Sequence, residues 1–135
     1  MNKIGHITNF GSVYLSNPYG FKDQNFFYNT AIELTTTLGA VKLMEELKKI
    51  EKKVHKNKLF TNGPRRIDLD IIFYNQDIIN LTSPNLTIPH PHALTRDFVL
   101  IPAVEIAADW QLPDGTHLKS LVHQCVSHQL NRILA

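Results

Sequence analysis

The chain has 135 residues, of which 43% are hydrophobic and 19% charged. This is the size and composition of one ordinary globular domain over residues 1–135 and excludes a disordered or fibrous chain. The single cysteine, Cys125, excludes an internal disulfide and a multi-cysteine zinc site. No stretch is apolar enough for a membrane span or a signal peptide, so we expect a cytoplasmic protein.

Positive charge is distributed unevenly along the sequence. The formal net charge of +2 is too small to indicate nucleic acid binding by itself. Lysines and arginines are nevertheless concentrated between residues 42 and 66. Such an excess suits a polyanionic ligand such as a nucleotide, and a solvated helix face accounts for the same lysines.

The first half of the chain predicts two strands and a helix. Residues 4–15 alternate loosely and predict a first strand, and residues 17–24 are rich in turn formers. Residues 26–34 are aromatic and β-branched and predict a second strand. From Ala40 to Lys53, apolar residues recur at the spacing of one helix face.

The second half predicts a third strand, a hairpin and two helices. Residues 66–74 predict the strand, and residues 75–93 a hairpin followed by a proline-fixed segment. Residues 95–107 predict a short helix that is interrupted near Pro102, and a last helix runs to about Ile133. Strands, a helix, strands and helices in this order predict an α+β fold.

Two aspartates lie in the middle of the predicted third strand. Alternation places Asp68 and Asp70 on one face, where two carboxylates repel each other unless a cation lies between them. Magnesium is usually held by one or two carboxylates together with substrate phosphates, and Arg65 and Arg66 lie just upstream to bind a phosphate. A solvent-exposed, charged strand face explains the same alternation. The preceding Gly-Pro pair favours a shaped site.

A second group of polar residues follows the hairpin. His90 and His92 flank Pro91, and Arg96 lies a few residues later. Prolines fix the backbone and aim these side chains, which would neutralise charge on transferring phosphates beside a metal–nucleotide complex. A turn with surface histidines is the alternative.

A third group, DQNFFYN at residues 23–29, joins aromatic rings to an amide. Phe26 and Phe27 fit a hydrophobic core, and Asn29 needs a hydrogen-bonding partner if it is buried. An amide beside an aromatic ring is also a receptor for a flat heterocycle with donor and acceptor edges.

Together these segments resemble one family. NPYGFKDQNFFYN, GPRRIDLDIIFYN and LTIPHPHALTRDFVLIPAVEIA, followed by LPDG, are similar in order and spacing to the 6-hydroxymethyl-7,8-dihydropterin pyrophosphokinases of folate synthesis. The resemblance implies a ferredoxin-like α+β sandwich, with a mostly antiparallel sheet and helices on one face. It also implies transfer of pyrophosphate from ATP to the pterin hydroxymethyl group, with two Mg²⁺ ions and release of AMP.

The resemblance implies a role for each matching residue. Asp68 and Asp70 would bind both metal ions and act in catalysis with Arg65 and Arg96, which would hold the phosphates in line. The residues on the ATP side would be Glu51, Arg65, Ile71, Thr87, His90 and Arg96. Those on the pterin side would be Pro18, Tyr19, Phe27, Asn29 and Phe98, with the two phenylalanines enclosing the ring and the asparagine reading its edge.

The chain departs from the family pattern in three places. The family normally begins with a central strand and a helix, and this chain starts near the end of that helix, so the fold is expected to be N-terminally shortened. Lysines at residues 52–62 replace a stretch normally rich in arginine. Lys48 and Asn85 stand where ATP-contacting residues often occur. A sheet without an inner strand leaves unpaired edges or takes a strand from a partner chain.

Two other functions compete with the pyrophosphokinase. One is a non-catalytic or truncated relative that still binds nucleotide or pterin. The other is a small α+β interaction module, for example one that binds RNA on its sheet. The Asp68 and Asp70 face would repel phosphates in the absence of metal. We therefore expect pterin and ATP as the partners, and neither nucleic acid nor a membrane.

Overall fold

The computed structural model describes residues 4–16, 27–55, 67–125 and 131–134. The strands are β1 (His6–Phe10), β2 (Val13–Ser16), β3 (Phe27–Asn29), β4 (Ile32–Thr35), β5 (Ile79–Thr82), β6 (Asn85–Ile88) and β7 (Asn131–Leu134), and the α-helices are α1 (Ala40–His55) and α2 (Asp97–Ala107). Short 3-10 helices cover Ala93–Thr95 and Leu118–Gln124. None of the helices in these ranges has both the length and the apolar character that a membrane crossing requires.

The predicted α+β class and the antiparallel pairing are confirmed. Within the described ranges the strands form three small sheets, in the orders β1-β4, β3-β2-β7 and β5-β6, in place of the single predicted sheet. The β5-β6 hairpin lies inside the predicted residues 75–93. Residues 67–74, which were expected to form a further strand, pair with none of these sheets.

Each of the first two predicted strands is broken in two. Residues 11 and 12 separate β1 from β2, and residues 30 and 31 separate β3 from β4. At the break, the Gly11 N–H donates to the Ala31 carbonyl over 2.9 Å and the Thr30 hydroxyl to the Gly11 carbonyl over 3.1 Å. A Cβ at Gly11 would lie 3.0 Å from Glu105 Oε1, so glycine permits the close approach to α2.

Ser12 and Glu105 fasten this break to α2. Ser12 is buried, and its backbone N–H and hydroxyl both donate to the Glu105 carboxylate, over 2.6 and 2.5 Å. A carboxylate that accepts two such bonds is a strong anchor. The contact explains why the alternation of residues 4–15 stops before a single long strand can form.

The prediction of a last helix running to Ile133 is wrong. Leu118–Gln124 is a 3-10 helix, and Asn131–Leu134 forms β7, which pairs antiparallel with β2. The backbone edge of β2 accepts this strand, and such long-range pairing overrides a local helical pattern. Residues 126–130, including Leu130, lie outside the described part of the chain.

The other two predicted helices are present, but the predicted interruption of the second is not. α1 begins at Ala40 as predicted and ends at His55, two residues beyond Lys53. The predicted interruption near Pro102 is wrong, because α2 runs through it. Pro102 and Leu100 are both fully buried. Packing on this scale offsets the one hydrogen bond that a proline removes from a helix.

The predicted third strand is not a strand in the structure. Residues 67–74 belong to no β-ladder within the described ranges. Their ties to the rest of the fold include the Ile72 carbonyl, which accepts from the His90 N–H over 2.9 Å, and the Leu69 N–H, which donates to Glu51 over 2.6 Å. A strand requires a neighbouring strand for its backbone groups, and no described strand lies in that position.

Burial in this segment follows the predicted alternation only in part. Leu69 and Ile71 pack against the buried α1 residues, whereas Asp68 and Asp70 are exposed. Ile67, which alternation places with Leu69, is 38% exposed, and Tyr74, which it places with the aspartates, packs against the same cluster as Leu69. Among the described residues, the buried core forms three clusters, centred on Ile4, Leu43 and Leu47; on Ala40, Leu86 and Ile88; and on Leu100, Leu112 and Leu118. Packing against α1 therefore holds the segment in place and leaves its two carboxylates facing solvent.

Candidate active site

A cleft of about 250 Å³ lies between α1, the segment 67–74 and the β5-β6 hairpin. Its apolar lining includes Met44, Leu47, Leu69, Ile71, Leu86 and Pro91, and its polar lining consists of Lys48, Asp70, Asn85, Thr87 and His90. Most of the accessible lining is polar, with apolar side chains between the polar groups. The cation, the imidazole and the amide would suit a ligand that carries negative charge at one end.

Simple periodicities place the polar groups at the cleft. On α1, Lys48 follows Met44 by one helical turn and therefore lies on the same side of the helix. On β6, Leu86 and Ile88 are buried in the core while Asn85 and Thr87 alternate with them. His90 follows directly after this strand, where its backbone N–H is bonded to Ile72.

His90 has a defined protonation pattern. The His92 N–H donates to His90 Nδ1 over 3.2 Å, so the neutral imidazole carries its proton on Nε2. Burial lowers the pKa of His90; the Asp70 carboxylate acts in the opposite direction, and Arg96 and His92 lower the pKa further. His90 therefore offers a neutral N–H donor at the cleft.

Arg96 lies at the start of α2, close enough to influence His90. The Arg96 guanidinium carbon lies 5.6 Å from the centre of the Phe98 ring, a cation–π contact. The Arg96 carbonyl accepts the Leu100 N–H over 2.9 Å, as the first turn of the helix requires. The charge of Arg96 lies close enough to lower the pKa of His90.

The two aspartates differ in their relation to the cleft. Both Asp68 and Asp70 are exposed, but only Asp70 lines the cleft, and Leu69 between them packs inward. In the described part of the chain, no three acidic, histidine or cysteine side chains are grouped as metal ligands. A cation at this pair would therefore take its remaining ligands from water or from ligand oxygens, which is the usual magnesium arrangement.

The structure brings three of the six predicted ATP-side residues, Ile71, Thr87 and His90, into the cleft. Asp70, a predicted metal ligand, lines it as well, and Arg96 acts electrostatically on His90. Glu51 does not line the cleft and contacts its wall through Leu69. Arg65 lies outside the described residues.

The predicted pterin-side residues are not brought into this cleft. Asn29 is half-buried on β3 opposite Tyr14, and Phe98 lies on α2, which contacts β2 and β3. Of Phe27 only the backbone is described, in β3 opposite Ser16. Pro18 and Tyr19 lie outside the described residues.

Five apolar cleft residues, Met44, Leu47, Leu69, Leu86 and Pro91, were not among the predicted site residues. Met44 has the spacing of a core residue and forms both core and cleft wall. The sequence marks Leu86 only as an apolar strand residue and Pro91 only as part of a fixed turn, and neither pattern indicates a cleft. The contact between Glu51 and the Leu69 backbone also escaped, because backbone donors leave no trace in a sequence.

Fold and cleft together define a class: a small α+β protein in which a carboxylate, an imidazole and an ammonium group line one cleft. The family model of 7,8-dihydro-6-hydroxymethylpterin-pyrophosphokinase (HPPK) matches residues 1–108. The chain belongs to this family, and the resemblance carried by its motifs is confirmed.

Curated relatives support this assignment. The 2-amino-4-hydroxy-6-hydroxymethyldihydropteridine pyrophosphokinase of Haemophilus influenzae is 36% identical over 128 residues, which are 95% of this chain and 79% of the relative. The protein of the same name from Pseudomonas aeruginosa is 36% identical over 121 residues, 90% of this chain and 74% of the relative. The folic acid synthesis protein fol1 of Pneumocystis carinii is 42% identical over 123 residues, 90% of this chain but 16% of that longer protein.

Proposed function

We propose that this chain transfers pyrophosphate from ATP to 6-hydroxymethyl-7,8-dihydropterin, a step of folate synthesis. In this reaction the hydroxyl oxygen forms a bond to the β-phosphorus of ATP. The bond from that phosphorus to the oxygen that bridges it to the α-phosphorus breaks, and AMP leaves. The hydroxyl proton passes to solvent. The observation that carries the proposal is the cleft that brings Asp70, Thr87 and His90 together in a member of this family.

Several polar residues in and beside the cleft have roles in this proposal. Asp68 and Asp70 hold Mg²⁺, for which we propose two ions; bound there, the metal neutralises phosphate charge and lowers the pKa of the attacking hydroxyl. The His90 Nε2–H, Lys48 and Arg96 donate to phosphate oxygens, and Arg65 is proposed to do the same. Such groups contribute positioning and charge neutralisation, which phosphoryl-type transfer needs most.

The two substrates occupy different regions in this proposal. Ile71 forms an apolar wall for adenine in the cleft, and Thr87 supplies a polar contact beside it. Asn29 and Phe98 remain proposed pterin contacts, together with Phe27, Pro18 and Tyr19. Because α2 contacts β2 and β3, Phe98 and Asn29 belong to packed neighbouring elements.

Several finer features remain proposals. We infer a single cytoplasmic domain over residues 1–135 with a ferredoxin-like sheet.

The test is AMP production by the purified chain. With ATP, the pterin and Mg²⁺, we expect AMP and pterin pyrophosphate in equal amounts, resolved by ³¹P NMR or ion-exchange chromatography. Asp70→Ala should abolish transfer and leave the unfolding midpoint unchanged, because it removes an exposed carboxylate. Asp77→Ala, another exposed aspartate in the following turn, is the matched control and should retain full transfer.

One structural observation favours the second candidate, a relative that binds nucleotide without transfer. The carboxylate pair lies on a segment without a β-ladder in the described ranges. One outcome is a chain that folds and binds a non-hydrolysable ATP analogue with Mg²⁺ and yet forms no AMP above the pterin-free control. That result would refute pyrophosphate transfer and support this second candidate.

A further inference from the structure

Glu51 accepts a backbone hydrogen bond at the centre of the carboxylate pair. Its Oε2 lies 2.6 Å from the backbone nitrogen of Leu69, 18 residues further along the chain. Leu69 is the residue between Asp68 and Asp70, so this contact holds the peptide that joins the two carboxylates.

The packing around Glu51 directs its carboxylate toward that peptide. Glu51 follows Leu47 by one helical turn, and the buried Leu47 belongs to the cluster against which Leu69 packs. Glu51 thus continues the core-facing side of α1 at the level of Leu69 and is half-buried. A charge-assisted bond to a backbone N–H is short and strong in such surroundings.

Two observations argue against other roles for this carboxylate. Within the described residues Glu51 does not form a metal-binding group with Asp68 and Asp70, although these two aspartates flank Leu69, to which it is hydrogen-bonded. The ion pairs on α1 in the same ranges join Lys42 and Lys49 to Glu46, and none involves Glu51. The carboxylate therefore acts on the backbone rather than on a metal or a lysine.

We propose that Glu51 is a positioning residue for the metal-binding carboxylates. In the absence of a β-ladder, a strand neighbour cannot fix the backbone of residues 68–70, and the bond from Glu51 to the Leu69 N–H takes that role. The inference rests on the proposed function, since it concerns the same carboxylate pair, and it replaces direct contact with ATP as the role of Glu51.

Three substitutions separate the hydrogen bond from the charge. Glu51→Gln keeps an oxygen acceptor at the same reach and removes the charge. Glu51→Asp keeps the charge on a side chain that is one methylene shorter and fails to reach Leu69. Glu51→Ala removes both. Glu45→Ala, on the exposed side of the same helix, is the matched control.

Binding of Mn²⁺, measured by the paramagnetic signal of the free ion with a non-hydrolysable ATP analogue present, provides the first readout. We expect Glu51→Asp and Glu51→Ala to weaken Mn²⁺ binding by about 10- to 100-fold, the usual effect of losing an outer contact of a metal site. Glu51→Gln and Glu45→Ala should remain close to the parent chain. Amide hydrogen exchange at Leu69 should accelerate in Glu51→Asp and Glu51→Ala only.

The outcomes are distinguishable. Weak binding by Glu51→Gln together with normal binding by Glu51→Asp would show that charge matters and would overturn the positioning role. Unchanged Mn²⁺ binding in all variants would overturn it as well, while leaving the proposed function intact. A parent chain that binds no Mn²⁺ would overturn the metal site and the positioning role together. If Glu51→Ala does not fold, the comparison of the Gln and Asp variants decides.

Discussion

Truncating Ile88 should destabilise the protein because it weakens the packing of the β5-β6 hairpin against α1. Ile88 is 1% exposed on β6, in the cluster with Ala40 and Leu86 that joins the β5-β6 hairpin to α1. Ile88→Ala removes three buried carbons at about 0.8 kcal/mol each, or about 2.4 kcal/mol of transfer free energy. The cavity left behind raises the loss to about 3–4 kcal/mol. Ile88→Val should lose about 1 kcal/mol.

Urea unfolding followed by circular dichroism measures these losses as shifts of the midpoint at constant slope. Ile78→Ala is the matched control because Ile78, just before β5, is 75% exposed; its stability should change by less than about 0.5 kcal/mol. Equal losses in the Ile88 and Ile78 variants, or a loss below about 1 kcal/mol for Ile88→Ala, would refute the packing described for this cluster.

Three further predictions address other parts of the molecule. Asn29→Ala should weaken pterin affinity in calorimetry more than ATP affinity; equal weakening of both would contradict a pterin role. Ser12→Ala should lower the unfolding free energy by about 1.5 kcal/mol, because it removes a bond to the Glu105 carboxylate; an unchanged midpoint in urea would contradict that anchor. Burial raises the pKa of the Cys125 thiol. At pH 8 a smaller fraction of Cys125 is therefore thiolate than of a free thiol. Alkylation by iodoacetamide should therefore be slow at pH 8 and fast in denaturant, and equal rates in both would contradict the burial.

The sequence predicted the features that depend on local periodicity. The helix from Ala40 and the inward Leu69 between outward Asp68 and Asp70 follow from spacing alone. The hairpin of β5 and β6 and the position of His90 after it also follow from short-range signals. These features are sufficient to place one side of the cleft.

The features that the sequence did not predict depend on contacts between distant residues. β7 forms because the edge of β2 is available more than a hundred residues earlier in the chain. The break at Gly11 reflects contact with Glu105, and α2 continues through Pro102 because of burial. Residues 67–74 have the pattern of a strand but lack a neighbour, and no local signal reports whether a neighbour is present.

The absence of a β-ladder at residues 67–74, within the described ranges, bears on how the protein responds to heat. In a sheet, the Asp68 and Asp70 carboxylates would melt together with the core, as part of one cooperative unit. Here the backbone that carries them is held chiefly by side chains from α1, so its opening costs less free energy than global unfolding. Activity should therefore decline on warming before the far-ultraviolet signal changes, and substrates that bridge the carboxylates to the cleft should raise the temperature of that decline.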